Sequence, residues 1–276
     1  MKEVKEIVYC PHCRRLCRVR YEGVRLICVE CDEEVNYDGP PVKVSEKCVV
    51  LLSGGVDSSV LLYSLIAEYE CYPFTINYGQ RHKNEIAAAR KVCAARGDWL
   101  ADRWQYLDLS VLRGLLPSAL TDVSRGVPEG HYAQENMAQT VVPNRNMIFL
   151  SIAAGYAEGM GASRVAYAAH SEDHYIYPDC RPEFIESVGE TIKLATNVTL
   201  IEPFTYKTKA EIVSLGKKLN VPLKLTWSCY KGVDRPCLRC GSCVERTLAF
   251  LQVDFPDPAL SNAEWEAAVE YARSKS

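Results

Sequence analysis

A seven-residue segment, Ser53–Ser59 (SGGVDSS), constrains the fold more than any other part of this 276-residue sequence. An apolar run, Cys48–Leu52, precedes it, and a helical pattern, Val60–Ile66, follows it. A buried strand, a glycine-rich turn and a helix start in this order favour phosphate binding, because the glycines let the backbone approach an anion and the helix dipole attracts negative charge. The sequence therefore predicts a phosphate-binding loop.

The loop lacks the Gly-Lys-Ser/Thr ending of a Walker A motif. It resembles instead the SGGxDS signature of the PP-loop ATP pyrophosphatases. In that superfamily the loop holds the pyrophosphate that leaves when ATP transfers AMP to a carboxyl or carbonyl oxygen. The alternative is an ordinary strand–turn–helix connection, which two adjacent glycines flanked by serines do not favour.

Strand-like and helix-like patterns alternate beyond residue 41. The strand candidates are residues 48–52, 73–77, 104–107 and 164–168, and the helix candidates are residues 57–69, 83–96, 145–160 and 182–195. This alternation predicts an α/β fold with a Rossmann-like, doubly wound parallel sheet. Ligands of such sheets lie at the carboxyl ends of the strands, which is where the phosphate loop stands.

Two capping boxes, Thr208–Glu211 and Ser261–Glu264, predict the starts of two more helices. Residues 110–142 show no regular pattern, and a long irregular stretch inside a compact domain is usually functional or mobile.

Composition excludes several classes of protein. A net charge of −3 does not favour nucleic-acid binding. No apolar run approaches the roughly 20 residues that span a bilayer, and Met1–Glu6 lacks the apolar core of a signal peptide. We therefore expect a cytoplasmic protein with no membrane partner, and we do not expect nucleic acid as its ligand.

Eight of the thirteen cysteines form two groups with zinc-ligand spacing. In the first group, two CxxC pairs stand fourteen residues apart, and residues 18–21 and 23–27 between them read as a hairpin. This pattern predicts a zinc ribbon over residues 1–40, with Gly39–Pro41 as a short linker. The predicted ligands are Cys10, Cys13, Cys28 and Cys31.

The second group contains four cysteines within fifteen residues, which can close a tetrahedral site. We interpret it as structural zinc; a redox role and an iron–sulfur cluster are the alternatives. Its members are Cys229, Cys237, Cys240 and Cys243. The expected domains are the ribbon at 1–40, an ATP-binding catalytic domain at 41–222, and a zinc-binding and helical region at 223–276.

Four further motifs follow the phosphate loop. They are Asn77–His82 (NYGQRH), Val142–Leu150 (VPNRNMIFL), Tyr177–Phe184 (YPDCRPEF) and Thr226–Tyr230 (TWSCY). With the loop and the second cysteine group, they look like QueC, the 7-cyano-7-deazaguanine synthase family, from residue 48 to about residue 250. The resemblance implies an ATP-dependent ligase that adenylates 7-carboxy-7-deazaguanine, forms an amide with ammonia and then converts the amide to the nitrile.

That chemistry implies ATP and Mg2+, the spacing of the two cysteine groups predicts two structural Zn2+ ions, and we expect a homodimer. Asp57 is a candidate partner of Mg2+, directly or through water, and Ser58 is a hydroxyl donor. Lys209 and Arg145 are candidates to hold phosphate or acyl oxygens, and a surface charge is the alternative for each. The ATP-binding candidates are Leu52, Ser53, Gly54, Gly55, Asp57, Ser58, Ser59, Tyr78, Gln80, Arg81 and His82.

A deazaguanine presents N–H donors and a carbonyl, so a carboxylate can accept from it and an aromatic ring can stack on it. The substrate-binding candidates are Arg145, Asn146, Asp173, Tyr177, Asp179 and Arg181. The alternative interpretation of the acidic residues is a loop held by its own salt bridge.

Two features depart from the family pattern. The ribbon is an addition, and His174–Ile176 stand where many members have a Ser-Gly pair before the tyrosine. The ribbon could dock a protein partner, and its basic cluster could bind a nucleic acid or a protein tail or be a solvated face, which we favour. That cluster is Arg14, Arg15, Arg18 and Arg20.

Three rival functions stay open. The first is a QueC-like modifier of an antiviral defence operon, which would adenylate the same acid and transfer the acyl group to an amine of a partner protein. The second is a tRNA thiolase, against which the YPDCRPE motif argues. The third is a zinc-ribbon nucleic-acid adaptor with a vestigial ATP site, against which the intact SGGVDSS argues.

Overall fold

The computed structural model describes residues 6–10, 12–13, 15–22, 25–35, 46–131, 135–231 and 234–275. The predicted linker Gly39–Pro41 and Arg14 lie outside these residues, as do the side chains of Arg15, Arg18 and Arg20. No helix in the described part is long and apolar enough to cross a membrane.

The N-terminal segment forms a three-stranded antiparallel sheet in the order β1-β2-β3. The strands are β1 (Glu6–Cys10), β2 (Arg15–Glu22) and β3 (Arg25–Cys28). The predicted hairpin is therefore present, with β2 longer than expected. The sequence analysis missed β1, whose partner residues lie on β2, from Glu6 opposite Val19 to Cys10 opposite Arg15.

A second sheet has five parallel strands in the order β6-β5-β4-β7-β8. Its strands are β4 (Lys47–Leu51), β5 (Glu70–Asn77), β6 (Gln105–Asp108), β7 (Arg164–Ala166) and β8 (Thr199–Ile201). The chain runs outward from β4 through β5 to β6, then returns to the other side for β7 and β8. The strand order thus reverses beside β4, which makes the end of β4 the topological switch point.

Helices cover both faces of the sheet. They are α1 (Val56–Leu65), α2 (Asn84–Ala94), α3 (Asp98–Ala101), α4 (Arg145–Gly159), α5 (Pro182–Ala195), α6 (Lys209–Lys218), α7 (Gly241–Gln252) and α8 (Asn262–Arg273). Both capping boxes form as predicted, at Thr208 and Ser261. Short strand β8 and short helix α3 were not predicted.

Strand β4 contributes side chains to two hydrophobic cores, one between the sheet and the helices on each of its faces. Cys48 and Val50 point into a core with α1, α2, α6 and α7, whereas Val49 points into a core with α4 and α5. Side chains alternate along a strand, so a strand that is apolar at every position can face two cores. This arrangement confirms the predicted doubly wound parallel sheet.

The irregular segment 110–142 is packed rather than loose where the structure describes it. It contains two 3-10 turns, Ser110–Gly114 and Glu135–Thr140. Leu120 and Val142 form a small core with Tyr78, next to the end of β5. The segment therefore forms a wall beside the carboxyl edge of the sheet.

Gly54 is the position in the phosphate loop that requires glycine. Its φ is +93°, and a Cβ added there would lie 2.2 Å from the carbonyl oxygen of Glu85 and 2.6 Å from the backbone nitrogen of Ala89. The loop backbone thus presses directly against α2, which leaves no space for a side chain.

We expect Gly54→Ala to lower the free energy of unfolding by more than about 2 kcal/mol, because the methyl group meets fixed backbone atoms and the positive φ is strained. Gly155→Ala is the matched control: it lies within α4 with no atom within 4 Å of the added Cβ. It should leave stability unchanged or raise it by about 0.5–1 kcal/mol. Urea unfolding measures both, and equal stabilities of the two variants would contradict the packing described.

Candidate active site

One residue, Leu52, lies between the end of β4 and the phosphate loop. Hydrogen bonds from the loop's own serines stabilise its conformation. The Ser58 hydroxyl accepts a hydrogen bond from the Ser53 backbone N–H at 3.2 Å, and the two hydroxyls lie 3.0 Å apart. Ser59 donates to the Gly55 carbonyl at 2.7 Å. No side chain caps α1 at Gly55, so the first N–H groups of this helix are directed toward an anion site.

Lys209 contacts the phosphate loop directly, through Asp57. Its Nζ lies 2.5 Å from Oδ2 of Asp57 and 3.2 Å from Oε2 of Glu245, and 3.4 Å from Nε2 of His170. The lysine is the first residue of α6, Asp57 lies in the first turn of α1, and Glu245 lies in α7. Three helices of one layer thus meet at a single ammonium group, so Lys209 is a buried residue and not a surface charge.

Burial and ion pairing shift the pKa values of Asp57 and Lys209 in opposite directions. Burial alone would raise the pKa of Asp57, but the positive charges of Lys209 and His170 lower it. Burial would lower the pKa of Lys209, and the neighbouring carboxylates raise it instead. Asp57 and Lys209 are therefore an ion pair at neutral pH.

The pKa of the Glu245 carboxyl is raised, whereas that of Asp57 is lowered. Burial raises the pKa of this carboxyl to about 7, although Lys209 and His170 lower it in part. Its Oε1 is buried and accepts no hydrogen bond from the described residues. Oxygen or nitrogen ligand atoms of His170, Glu172 and Glu245 lie within 4.8 Å of one another and could hold a metal ion, although the Lys209 ammonium already contacts Glu245.

A cleft with a volume of about 210 Å³ opens over this cluster. The predicted site residues that line it are Leu52, Ser53, Gly55, Asp57, Ser58, Tyr78, Gln80, His82, Arg145, Asn146, Asp173, Tyr177 and Lys209. Motifs that are far apart in the sequence therefore meet around one space, with the phosphate loop on one wall and aromatic side chains on another.

Aromatic side chains, among them Tyr78 and Tyr177, form one wall of the cleft, which we call the aromatic wall. This wall also holds a cation. The Arg145 guanidinium lies over the ring of Tyr78, 5.8 Å from its centroid. Burial alone would lower the pKa of Arg145, but Tyr78 and Asp179 raise it, so the group stays charged. The Tyr177 hydroxyl lies 2.8 Å from the Thr140 hydroxyl. A planar, partly apolar pocket with one fixed cation suits a flat anionic ligand.

Gln80 and His82 shape the turn after β5. Oε1 of Gln80 accepts from the Tyr78 backbone N–H at 2.9 Å, and Nε2 of His82 lies 3.2 Å from the Glu85 carboxylate. Both side chains are buried, so they fix the turn that places Tyr78 in the cleft.

Five predicted site residues do not line the cleft. Gly54 packs on α2, and Ser59 bonds inside α1. Arg81 donates to the carbonyls of Ala119 and Arg125. The two others are Asp179, whose Oδ2 accepts from the backbone N–H of Asn146 at 3.0 Å, and Arg181, which is exposed and donates to the His174 carbonyl.

Sequence reasoning selected neither Glu245 nor His170 as a site residue. Both line the cleft and contact Lys209. Glu245 stands two residues after Cys243 and directly before Arg246 in α7, and no motif of the sequence distinguishes it from a surface residue.

Cys229, Cys237, Cys240 and Cys243 form one of two four-cysteine groups that could hold a metal ion. Backbone N–H groups of Cys237 and Cys240 donate to the sulfurs of Cys229 and Cys237, each at 3.3 Å, and such bonds favour thiolates. The adjoining Trp227 donates its backbone N–H to the Gly54 carbonyl at 2.9 Å. The cysteine group is thus tied directly to the phosphate loop.

The other four-cysteine group is that of the predicted ribbon, in the N-terminal sheet. Sγ of Cys10 is 3.7 Å from that of Cys31, and Sγ of Cys13 is 3.8 Å from that of Cys28. Four thiolates around one tetrahedral zinc stand about 3.8 Å apart, given a Zn–S bond of about 2.3 Å. The spacing fits a single ion.

A serine- and glycine-lined phosphate loop at the switch point of a doubly wound parallel sheet defines a phosphate-loop α/β protein. The model of the family "Queuosine biosynthesis protein QueC" matches residues 47–254. The chain therefore belongs to the QueC family.

Relatives named 7-cyano-7-deazaguanine synthase match most of this chain. The 7-cyano-7-deazaguanine synthase of Archaeoglobus fulgidus is 50% identical over 228 residues, which cover 81% of this chain and 94% of the relative. That of Methanoregula boonei is 49% identical over 77% of this chain and 97% of the relative. The synthase of Caldicellulosiruptor saccharolyticus is 44% identical over 82% of this chain and 98% of the relative.

We expect the protein to bind two metal ions per chain and Cys240→Ser to bind one, because three thiolates no longer close the site beside the phosphate loop. The variant should also unfold at a lower temperature, since Cys240 is fully buried. Elemental analysis by mass spectrometry gives the stoichiometry. Cys93→Ala, a buried cysteine outside both groups, is the control and should keep both ions; retention of two ions by Cys240→Ser would contradict the assignment.

Proposed function

We propose that the protein catalyses the ATP-dependent adenylation of 7-carboxy-7-deazaguanine and its amination by ammonia, through an amide, to 7-cyano-7-deazaguanine. The observation that carries this proposal is the single cleft that joins the phosphate loop to the aromatic wall. Relatives named as this synthase, at 44–50% identity, support the choice of substrate.

The acid must be activated because a carboxylate is a poor electrophile. Transfer of AMP to its oxygen provides a leaving group and releases pyrophosphate. The N–H groups at the start of α1 and the hydroxyls of Ser53 and Ser58 would hold the departing pyrophosphate. Lys209 sits where it can balance the charge that develops on the phosphates.

Asp57 fits a role in Mg2+ binding. Its Oδ1 is buried, lines the cleft side of α1 and has no hydrogen-bond partner among the described residues. Mg2+ prefers carboxylate and phosphate oxygens and would offset the charge of ATP when bound. Asp57 would provide the carboxylate oxygen, and ATP held by the phosphate loop would provide the phosphate oxygens.

The aromatic wall would hold the deazaguanine. Arg145 is the fixed cation that faces the acid group, and Tyr78 and Tyr177 offer ring faces to the base. Asp173 lines the same cleft and can accept the N–H donors of the pairing edge. Asp179 would act indirectly: it accepts a hydrogen bond from the backbone of Asn146 and so holds the first turn of α4, which carries Arg145.

Both four-cysteine groups are proposed to hold zinc. All ligand sulfurs in each group lie within 4.8 Å of one another, which suits one ion rather than a cluster of several metal atoms. Four thiolates leave no open position, so each zinc would be structural and not catalytic.

A second candidate acceptor is an amine of a partner protein. The ribbon favours this reading, because it lies before the matched range 47–254 and a zinc ribbon offers a docking surface. The adenylation half of the reaction would be the same in both cases.

The products distinguish adenylation from other uses of ATP. With the acid, ATP and Mg2+, we expect AMP and pyrophosphate, and with ammonium the amide and nitrile, by mass spectrometry. Asp57→Asn should lower turnover at least about 100-fold, because it removes a charge from the metal and from Lys209. Asp102→Asn, on an exposed residue, is the control. Release of ADP and phosphate alone would exclude the mechanism.

A chain that begins at Lys43 should still form AMP at a rate within about twofold of the full chain, because the matched range starts at residue 47 and a zinc-closed ribbon is an independent unit. If the ribbon docks a partner, the shorter chain should lose only partner binding. A shortened protein that is folded by circular dichroism but forms no AMP would show that the ribbon belongs to the catalytic core.

A further inference from the structure

The TWSCY segment, Thr226–Tyr230, lies against the phosphate loop. The Trp227 backbone N–H donates to the Gly54 carbonyl at 2.9 Å, and a Cβ added to Gly55 would lie 3.7 Å from the Trp227 carbonyl oxygen. Trp227 and Ser228 line the cleft together with residues of the loop. The segment therefore borders the space in which the loop would hold phosphate groups.

A second cavity, with a volume of about 370 Å³, shares this wall with the cleft. Trp227 and Ser228 line both spaces, so the segment forms a partition between them at these two residues. Arg246, in α7, lines the second cavity and does not line the cleft. The arginine therefore contacts the segment from the side away from the cleft.

The guanidinium of Arg246 is buried and has an acceptor for each of its N–H groups. Nε and Nη2 donate to the two carboxylate oxygens of Asp257, at 2.5 and 2.9 Å, and Nη2 also donates to the Leu223 carbonyl. Nη1 donates to the hydroxyl of Thr226 at 2.9 Å and to that of Ser228 at 3.3 Å. The ion pair with Asp257 thus fixes a group that holds two hydroxyls of the segment.

The bond from Arg246 determines what the Ser228 hydroxyl can do. A guanidinium only donates, so the Ser228 oxygen must accept from it, and the hydrogen of the hydroxyl remains to be donated. No residue in the described ranges accepts a hydrogen bond from this hydroxyl. Because Ser228 lines the cleft, its hydrogen is available to a ligand there.

The serines of the loop itself are more committed. The hydroxyls of Ser53 and Ser58 lie 3.0 Å apart, so one of their two hydrogens is used between them. Ser59 donates its hydrogen to the Gly55 carbonyl at 2.7 Å. Ser228 thus adds a donor that bonds inside the loop do not consume.

We propose that Ser228 donates a hydrogen bond to the phosphate chain of ATP and to the pyrophosphate that leaves it, and that Arg246 is the positioning residue that orients this hydroxyl. The proposal rests on the proposed function, in which ATP occupies the cleft. A hydroxyl that already accepts from a guanidinium is polarised toward donation. A donor that is fixed before the ligand arrives needs no reorganisation when charge develops on the leaving group.

Binding of inorganic pyrophosphate in the presence of Mg2+ tests Ser228 without turnover. We expect Ser228→Ala to raise the Kd about tenfold or more in isothermal titration calorimetry, because a hydrogen bond to a charged group is lost. Ser228→Thr keeps the hydroxyl, and its methyl group can enter either of the two adjoining spaces, so its Kd should stay within about threefold of wild type.

Ser151→Ala is the matched control for these variants. Ser151 is an exposed residue of α4 outside the cleft, and its hydroxyl bonds only to the Met147 carbonyl of its own helix. It should bind pyrophosphate as wild type does. Equal affinities of Ser228→Ala and wild type, or equal weakening in the alanine and threonine variants, would overturn the role of the hydroxyl.

Steady-state kinetics separates ATP binding from a general distortion of the cleft. In Ser228→Ala the KM for ATP should rise about tenfold, whereas the KM for the acid should not change, because the aromatic wall holds the acid. A rise of both KM values by the same factor would show that the variant distorts the whole cleft and would contradict the proposal.

A double-mutant cycle tests the positioning role of Arg246. Arg246→Lys keeps the charge beside Asp257 but lacks the planar fork that reaches Ser228, so its pyrophosphate Kd should rise about as much as that of Ser228→Ala. In the Ser228→Ala background the same change should have no further effect. If Arg246→Lys misfolds, Asp257→Asn, which loosens the guanidinium, takes its place. Additive losses in the double variant would overturn the positioning role.

The two proposals fail differently. If the wild-type protein forms no AMP from the acid and ATP, the proposed function is wrong. If it forms AMP and pyrophosphate, and Ser228→Ala binds pyrophosphate and ATP as wild type does, only the present inference is wrong.

Discussion

The site depends on one buried ammonium group. Lys209 joins Asp57 of α1 to Glu245 of α7, and its own position at the start of α6 is fixed by the Thr208 capping box. One buried and one half-buried carboxylate without a cation would be destabilising, whereas paired to one ammonium they hold three helices together. The phosphate loop, which leads into α1, is therefore positioned by the same interaction that gives the cleft its charge.

The cysteine group beside the loop completes this support. Cys240 is the N-cap residue of α7, directly before Gly241, and Cys243 lies in the first turn of the helix. Glu245 follows on the same helix, and Trp227 connects the group to the carbonyl of Gly54. A metal ion closed by four thiolates would thus fix both the loop and the carboxylate.

Much of the fold could be predicted from local pattern. The apolar run of β4, the glycine-rich loop and the two capping boxes act through neighbours in the sequence, and the structure has them as expected. Strands β1 and β8 were missed because their formation depends on pairing with β2 and β7, and β8 is only three residues long.

The site was harder to predict because its contacts are distant in sequence. Lys209 and Asp57 are 152 residues apart, so no local pattern distinguishes this lysine from a surface charge. Asp179 and Arg181 stand in a motif that predicted substrate contact, yet their side chains hold α4 and a neighbouring loop. The carboxylate Glu245 had no motif of its own, and only its burial beside Lys209 identifies it.

Transfer of oxygen from the acid to AMP tests the central claim most directly. The acid would be labelled with 18O in its carboxylate and incubated with ATP, Mg2+ and ammonium, and the AMP would be analysed by mass spectrometry. Adenylation in the cleft predicts that each AMP formed carries one 18O, first from the acid and then from the amide. Unlabelled AMP, or 18O found in inorganic phosphate, would contradict it.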